Sequence, residues 1–257
     1  MRLHSLRSSA VVGGTAVLPG HRAGSEAGLV LRACTALILA LGCSPAAAQV
    51  AASVGLDSDY RLRGYSLTND HPAVTAQVSY DDPSGFYLAA SGLGDLGDTG
   101  RFLGVIADAG YARRVGPHLT VDAGVLRSQI RSAYAGGLGY KYTEIYVGAY
   151  AGPVAARLHF SPDYRTSGQS TLYGEVEAGF EPAKNWRLSG HVGLLTYLTT
   201  TRYWESGETH RDWRITVARQ FGRFEIHTAL SGGGRRTYYG GRLHDKAALT
   251  FGGSASF

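Results

Sequence analysis

Short runs of side chains that alternate between apolar and polar follow one another from Gln49 to Phe257, with no helical stripe of any length between them. The last run is the plainest. Counting back from Phe257 in steps of two gives Ala255, Gly253, Phe251, Leu249 and Ala247, while Ser256, Ser254, Gly252, Thr250 and Ala248 lie between. A two-residue period marks a strand with one apolar face. Terminal residues usually fray unless something holds them. A chain that carries the period to a final bare aromatic therefore implies a last strand that is paired along its whole length.

Twelve such runs are expected, over about 51–64, 72–81, 85–93, 101–112, 118–128, 140–150, 153–161, 171–180, 186–198, 211–221, 223–231 and 245–257. "LYGEVEAGF" places Leu172, Gly174, Val176, Ala178 and Phe180 on one face and Tyr173, Glu175, Glu177 and Gly179 on the other. "VAARLHF" and "FEIHTAL" alternate in the same way. The connectors sort by length. After even-numbered runs they are short ("DPS", "RVGPH", "GP", "EPAKN", "G"), and after odd-numbered runs mostly longer ("SLTNDH", "GDLGDTG", "RSAYAGGLG", "SPDYRTSGQS").

A soluble sandwich has no reason to sort its connectors by side. A membrane barrel does, with tight turns at one rim and long loops at the other. Tyr80, Phe86, Tyr111, Phe180, Trp186, Phe224 and Phe257 share the apolar faces of their runs at the short-turn ends, where an aromatic belt would meet the headgroups. In hydrocarbon every backbone N–H and C=O needs an internal partner, so a sheet there must close without an edge. The expected fold is all-β, a transmembrane antiparallel up-and-down barrel of about 12 strands, with outer-membrane lipid against its apolar face.

Residues 1–48 differ from the rest, because every Phe, Tyr and Trp of the chain falls after them. "LVLRACTALILALGCSPAAAQ" has the form of a secretory signal: Arg32, an apolar run from Ala33 to Gly42, and Ala46-Ala47-Ala48 as the cleavage site before Gln49. The division expected is 1–48 extension and signal, 49–257 barrel, with translation starting near Val30 or Leu31. The apolar run is too short to cross about 30 Å of hydrocarbon as a helix. Both cysteines, Cys34 and Cys43, lie in the signal, so the exported chain would rely on its fold rather than on disulfides. Removing residues 1–48 takes away four Arg and one Glu and lowers the net charge from +5 to +2. The basic balance of the full chain thus gives no ground for a nucleic-acid partner.

The segment "SVGLDSDYRLRGYSLTNDHPAVTAQVSY", followed by "SGFYLAASG", resembles the TorF family of porins. The marks are Ser58–Arg61, Arg63–Ser66, Pro72–Ala73 and Gly85–Tyr87, and Leu67 departs from the pattern. The resemblance implies an outer-membrane barrel that passes small solutes or ions. At the other end, Thr250-x-Gly252-x-x-Ala255-x-Phe257 resembles the C-terminal signal read by the barrel-assembly machinery, which makes Gly252 and Phe257 the candidate contacts.

If the apolar faces meet lipid, the polar faces line the lumen. Asp57, Asp59, Arg61 and Arg63 then project inward from the first run, and Asp108, Asp122, Glu144 and Arg157 from the middle of the chain. Glu175, Glu177, Arg187, His191, Arg214 and Glu225 complete the set. Such a lining forms either a charged passage or a ladder of ion pairs that stiffens the wall. Among 8-stranded barrels the interior is filled, and at 16–18 strands an open channel remains, so twelve strands imply a narrow lumen. Neither a cofactor nor a metal is implied, because the histidines show no paired ligand spacing and His71, His210 and His244 fall in loops. Two alternatives remain: a structural or adhesin-type barrel, and a lipid hydrolase using His159, Ser161 and Glu175. The hydrolase requires these residues to face lipid, and their run places them on the polar face.

Overall fold

The fold is that of a computed structural model, which describes residues 14–15, 50–97, 100–131, 139–201, 205–233, 238–239, 242–243 and 247–257. The signal read in residues 1–48, with its cleavage before Gln49, lies outside the described residues, apart from a two-residue stretch, Gly14–Thr15, that pairs with Ile106 and Val105.

Twelve strands make the wall. They are β1 (Val50–Asp57), β2 (Ala73–Asp81), β3 (Phe86–Asp95), β4 (Arg101–Arg114), β5 (Leu119–Ile130) and β6 (Tyr140–Ala151), followed by β7 (Val154–Ser161), β8 (Thr171–Ala183), β9 (Trp186–Tyr197), β10 (Thr209–Phe221), β11 (Phe224–Gly233) and β12 (Ala248–Ser256). Each pairs antiparallel with its neighbours in sequence, and β12 returns to pair with β1. The sheet is closed, as the need to satisfy every backbone polar group in lipid requires. Phe257 donates its N–H to the Ala52 carbonyl at 2.8 Å, and Ala52 donates back to the Phe257 carbonyl at 3.3 Å. The C-terminus is thereby held to the last residue.

The connectors separate as the sequence implies. Gly152-Pro153, Lys184-Asn185 and Gly222-Arg223 are two-residue turns at one rim, whereas residues 162–170, 198–201 and 205–208 lie at the other. At the short-turn rim Asp82 accepts from the Ser84 hydroxyl and backbone N–H and from the Tyr80 hydroxyl, which hold its carboxyl below the usual range. All seven expected belt aromatics are exposed on the outer face, with the Phe86 and Tyr111 rings 5.0 Å apart. Leu88, Ile145, Val147, Val192, Ile215 and Ile226 continue that apolar surface toward mid-wall. This is the inverse of a soluble protein, and it follows from a solvent as apolar as the side chains.

Eleven of the runs match strands to within a few residues at either end. The first does not. β1 ends at Asp57, and the chain then leaves the wall to form a small inner hairpin, Arg61–Leu62 paired with Tyr65–Ser66. Arg63 (φ 48°) and Gly64 (φ 82°) are its two turn residues. Two positive φ values at the centre of a two-residue turn match the twist of the flanking strands. Leu67, Thr68 and Ser66 are almost fully buried by the hairpin's packing. With it, the long-loop half of the interior becomes an apolar and aromatic core of Leu62, Leu67, Leu93, Ile106, Ile130 and a group of tyrosines.

Candidate functional site in the lumen

Strand alternation places the charges, and strand register decides which of them meet. Asp57, Asp108, Asp122, Glu144 and Arg157 lie on the inner side of the wall, as do Glu175, Glu177, Arg187, Arg214 and Glu225. Asp59, Arg61 and Arg63 also project into the interior, but from the hairpin rather than from the upper end of a first strand, which corrects the expected placement. Asp59 organises the hairpin's base. It accepts from Ser66 at 2.5 Å and Thr68 at 3.0 Å and pairs with Arg61 at 3.3 Å.

Arg63 spans the lumen. Its guanidinium makes two hydrogen bonds to Glu144 on β6, at 2.9 and 2.8 Å, and stands 3.9 Å from the centre of the Tyr173 ring. Tyr142 and Tyr164 flank the same guanidinium at 5.5 Å. A fork-to-carboxylate pair with aromatic faces around it is the geometry in which Arg binds most strongly. Left-handed backbone at a residue other than glycine costs roughly 1–3 kcal/mol, and these side-chain contacts hold it in place.

From Glu144 a file of alternating carboxylates and imidazoles crosses five consecutive strands. His159 Nδ1 lies 3.3 Å from Glu144, and its Nε2 is hydrogen-bonded to Glu175 at 3.3 Å. His191 Nδ1 lies 3.9 Å from Glu175, and its Nε2 is bonded to Asp212 at 2.8 Å. The Tyr173 hydroxyl joins the end of the file, donating to Asp212 at 3.3 Å. A second cluster gathers around Asp122, which accepts from Tyr87 at 2.8 Å, Tyr150 at 2.9 Å and Arg157 at 3.2 Å. Beside it Asp108 accepts from Tyr146 at 3.4 Å. A third links Arg187 to Glu225 (2.7 and 2.9 Å) and His227 to Asp57 (2.8 Å).

Two of these contacts cross a glycine. Gly252 sits in register between His227 and Asp57, and a Cβ there would overlap both the Asp57 carboxylate and the imidazole. Gly148 separates Asp122 from Arg157 in the same way. Gly252, expected only as part of an assembly signal, thus also leaves space for the Asp57–His227 bond.

Glu177 and Arg214 differ from the rest, since neither side chain makes a hydrogen bond or ion pair with another described residue. Asp212, His227, Tyr87 and Tyr146 are members of the lumen network absent from the expected set. The alternation of "DWRITVARQF" and "FEIHTAL" already placed Asp212 beside Arg214 and His227 beside Glu225 on the inner faces, but no sequence signal distinguishes the tyrosines. His159 and Ser161 both point inward and are buried, with His159 held between two carboxylates and the Ser161 hydroxyl unbonded among the described residues. A lipid-cleaving pair would need to face outward. No group of three or more His, Cys, Asp or Glu among the described residues is arranged to hold a metal ion.

Among the described residues, two cavities lie in the interior. The larger, of about 320 Å3, runs from the short-turn end toward the hairpin and is lined among others by Gln77, Arg187, Thr216, Glu225 and His227. The smaller, of about 90 Å3, lies against Arg63, His159, Tyr173 and Asp212. Arg61, Glu177, Arg214 and Ser231 line both, and so form the neck between them.

The sequence model of a family described as "Bacterial protein of unknown function (Gcw_chp)" matches residues 42–232. The chain belongs to the Gcw_chp family. This is not the TorF name that the Ser58–Tyr87 segment resembles, although the porin-type barrel implied by that resemblance is the fold observed. No curated protein matches the Gcw_chp chain. Among solved structures, the NanC porin is similar over 80% of this chain and 98% of its own, at 12% identity and a TM-score of 0.53. The KdgM porin is similar over 80% and 99%, at 10% identity and a TM-score of 0.50. At such identities the likeness establishes a shared fold, so this Gcw_chp member is a porin-fold barrel.

Proposed function

We propose that this barrel resides in the bacterial outer membrane and gives passive passage to small solutes or ions through a narrow charged lumen. The observation that carries the reading is the polar cavity of about 320 Å3 that opens at the short-turn rim and climbs the inner wall to a charged neck. A barrel whose only role was to fill its own interior would gain nothing from leaving that space, because protein interiors are close-packed. On this reading residues 1–48 export the chain, lipid covers the apolar face, and the barrel-assembly machinery engages Gly252 and Phe257.

Planar-bilayer recording tests it. Small discrete current steps from protein with the unheated gel mobility of a folded barrel would support passage, and silence from the same material would overturn it. A second reading is favoured by the hairpin and the apolar core above it, which fill the long-loop half. In that reading the barrel is structural and closed. Replacing residues 59–70 with a short glycine–serine link separates the two, since a plugged barrel should be silent before the replacement and conduct after it.

A further inference from the structure

The neck brings together two wall charges whose side chains have no hydrogen-bond or ion-pair partner among the described residues. Glu177 on β8 and Arg214 on β10 stand in one row, because both are in register with His191 on β9. Two interstrand spacings put their backbones about 10 Å apart. His191 between them is bonded through Nε2 to Asp212, and its Nδ1 faces Glu175. Around them the opposite pattern holds. Asp57, Asp59, Glu175 and Glu225 each have a cation or imidazole within hydrogen-bond or ion-pair distance. Ser231, directly opposite Arg214 in register, adds a hydroxyl at the same level.

Opposite charges attract more strongly in a narrow, partly enclosed site than in open water, and both groups are half-buried, so a solute is favoured to the extent that it satisfies both groups together. A simple anion on Arg214 would sit facing the Glu177 carboxylate, and a simple cation on Glu177 would face the guanidinium. A molecule with a carboxylate and an ammonium a few ångströms apart meets neither conflict. We infer that the neck is a binding site for a small zwitterion of the free amino acid class, its carboxylate on Arg214 and its ammonium on Glu177. The larger cavity below lies at the lower end of the range for small-molecule sites, roughly 300–1,000 Å3. Its lining of Gln77, Ser189, Thr216 and Gln220 suits a short polar side chain.

This inference rests on the passage reading for its purpose, and its test does not depend on current. Glycine, acetate and methylammonium are titrated calorimetrically into the detergent-folded barrel. Each charge-assisted contact contributes roughly a tenfold effect or more, so glycine should bind at least about tenfold tighter than either singly charged probe. Glu177→Gln should weaken glycine by that factor and leave acetate no weaker, and Arg214→Gln should weaken glycine and acetate together. Unheated gel mobility identifies any variant that fails to fold, and Glu177→Asp, which keeps the charge, should retain most of the preference for glycine. Acetate binding as tightly as glycine, or no saturable heat for any probe, overturns the site. A barrel that binds glycine yet carries no current would retain the site and remove the passage reading. One that conducts with no preference for glycine would do the reverse.

Discussion

Replacing Arg63 with Met keeps much of the side chain's length against Tyr173 while removing the fork that holds Glu144. The carboxylate left behind is 1% exposed and has lost two hydrogen bonds of 2.8 and 2.9 Å. Stripping one partner from a buried ion pair costs about 3–5 kcal/mol. His159, 3.3 Å from the same carboxylate, remains as a second partner and should hold the cost near the lower figure. Glu144→Gln strands the guanidinium among three tyrosine rings and should cost a similar amount. In the double variant neither charge remains, so its destabilisation should fall short of the sum of the two by about 2–3 kcal/mol. Urea unfolding from lipid vesicles, followed by tryptophan fluorescence and far-UV circular dichroism, measures all four proteins. Additivity within about 0.5 kcal/mol would mean that Arg63 and Glu144 do not meet, and the hairpin would have to sit elsewhere.

The facing of β10 can be tested with a single charge. Val217→Arg places it in lipid near mid-wall and should cost about 2–4 kcal/mol, whereas Thr216→Arg enters the cavity and should cost much less; the same urea titration reads both. Gly252→Val should break the Asp57–His227 contact and lower stability by about 1.5–3 kcal/mol, while Gly190→Ala, with nothing within 4 Å of its added Cβ, should be nearly silent by the same measure. Deleting Phe257 should reduce the yield of heat-modifiable barrel on gels far more than deleting the loop residue Gly207, because Phe257 bonds the first strand in both directions.

Much of the wall was readable in the chain, and much of its contents was not. Val217 and Thr216 take the faces their alternation assigns, since a two-residue period leaves a strand only two choices and the lipid settles which. The short and long connectors fell at opposite rims for an equally local reason. The inner hairpin was hidden because Asp59, Arg61 and Arg63 alternate with Tyr60 and Leu62 as a wall strand would. Its turn is Arg63-Gly64 rather than the Asn-Gly pair that announces such turns. What bends the chain there is Glu144 and three tyrosines, more than 75 residues further along. The segment resembling TorF porins includes the stretch that leaves the wall, so the resemblance marked it without revealing its path. Alternation likewise put Glu175, His191 and Arg214 inside but could not say that the first two would pair and the third would not, because pairing depends on register between strands.

The contact between Arg63 and Glu144 also has a mechanical meaning. Arg63 hangs between β1 and β2, and Glu144 stands on β6, five strands round a ring of twelve. A hoop of that size with nothing across it flattens readily when squeezed from the side, as membrane tension or a change of bilayer thickness would squeeze it. The hairpin acts as a spoke joining near-opposite points of the rim, so the hoop keeps its width along that line. It also partitions the bore. Toward the long-loop rim the bore is filled by Leu67, Leu93, Ile106 and the tyrosines, while toward the short-turn rim the space below Glu177 and Arg214 stays open.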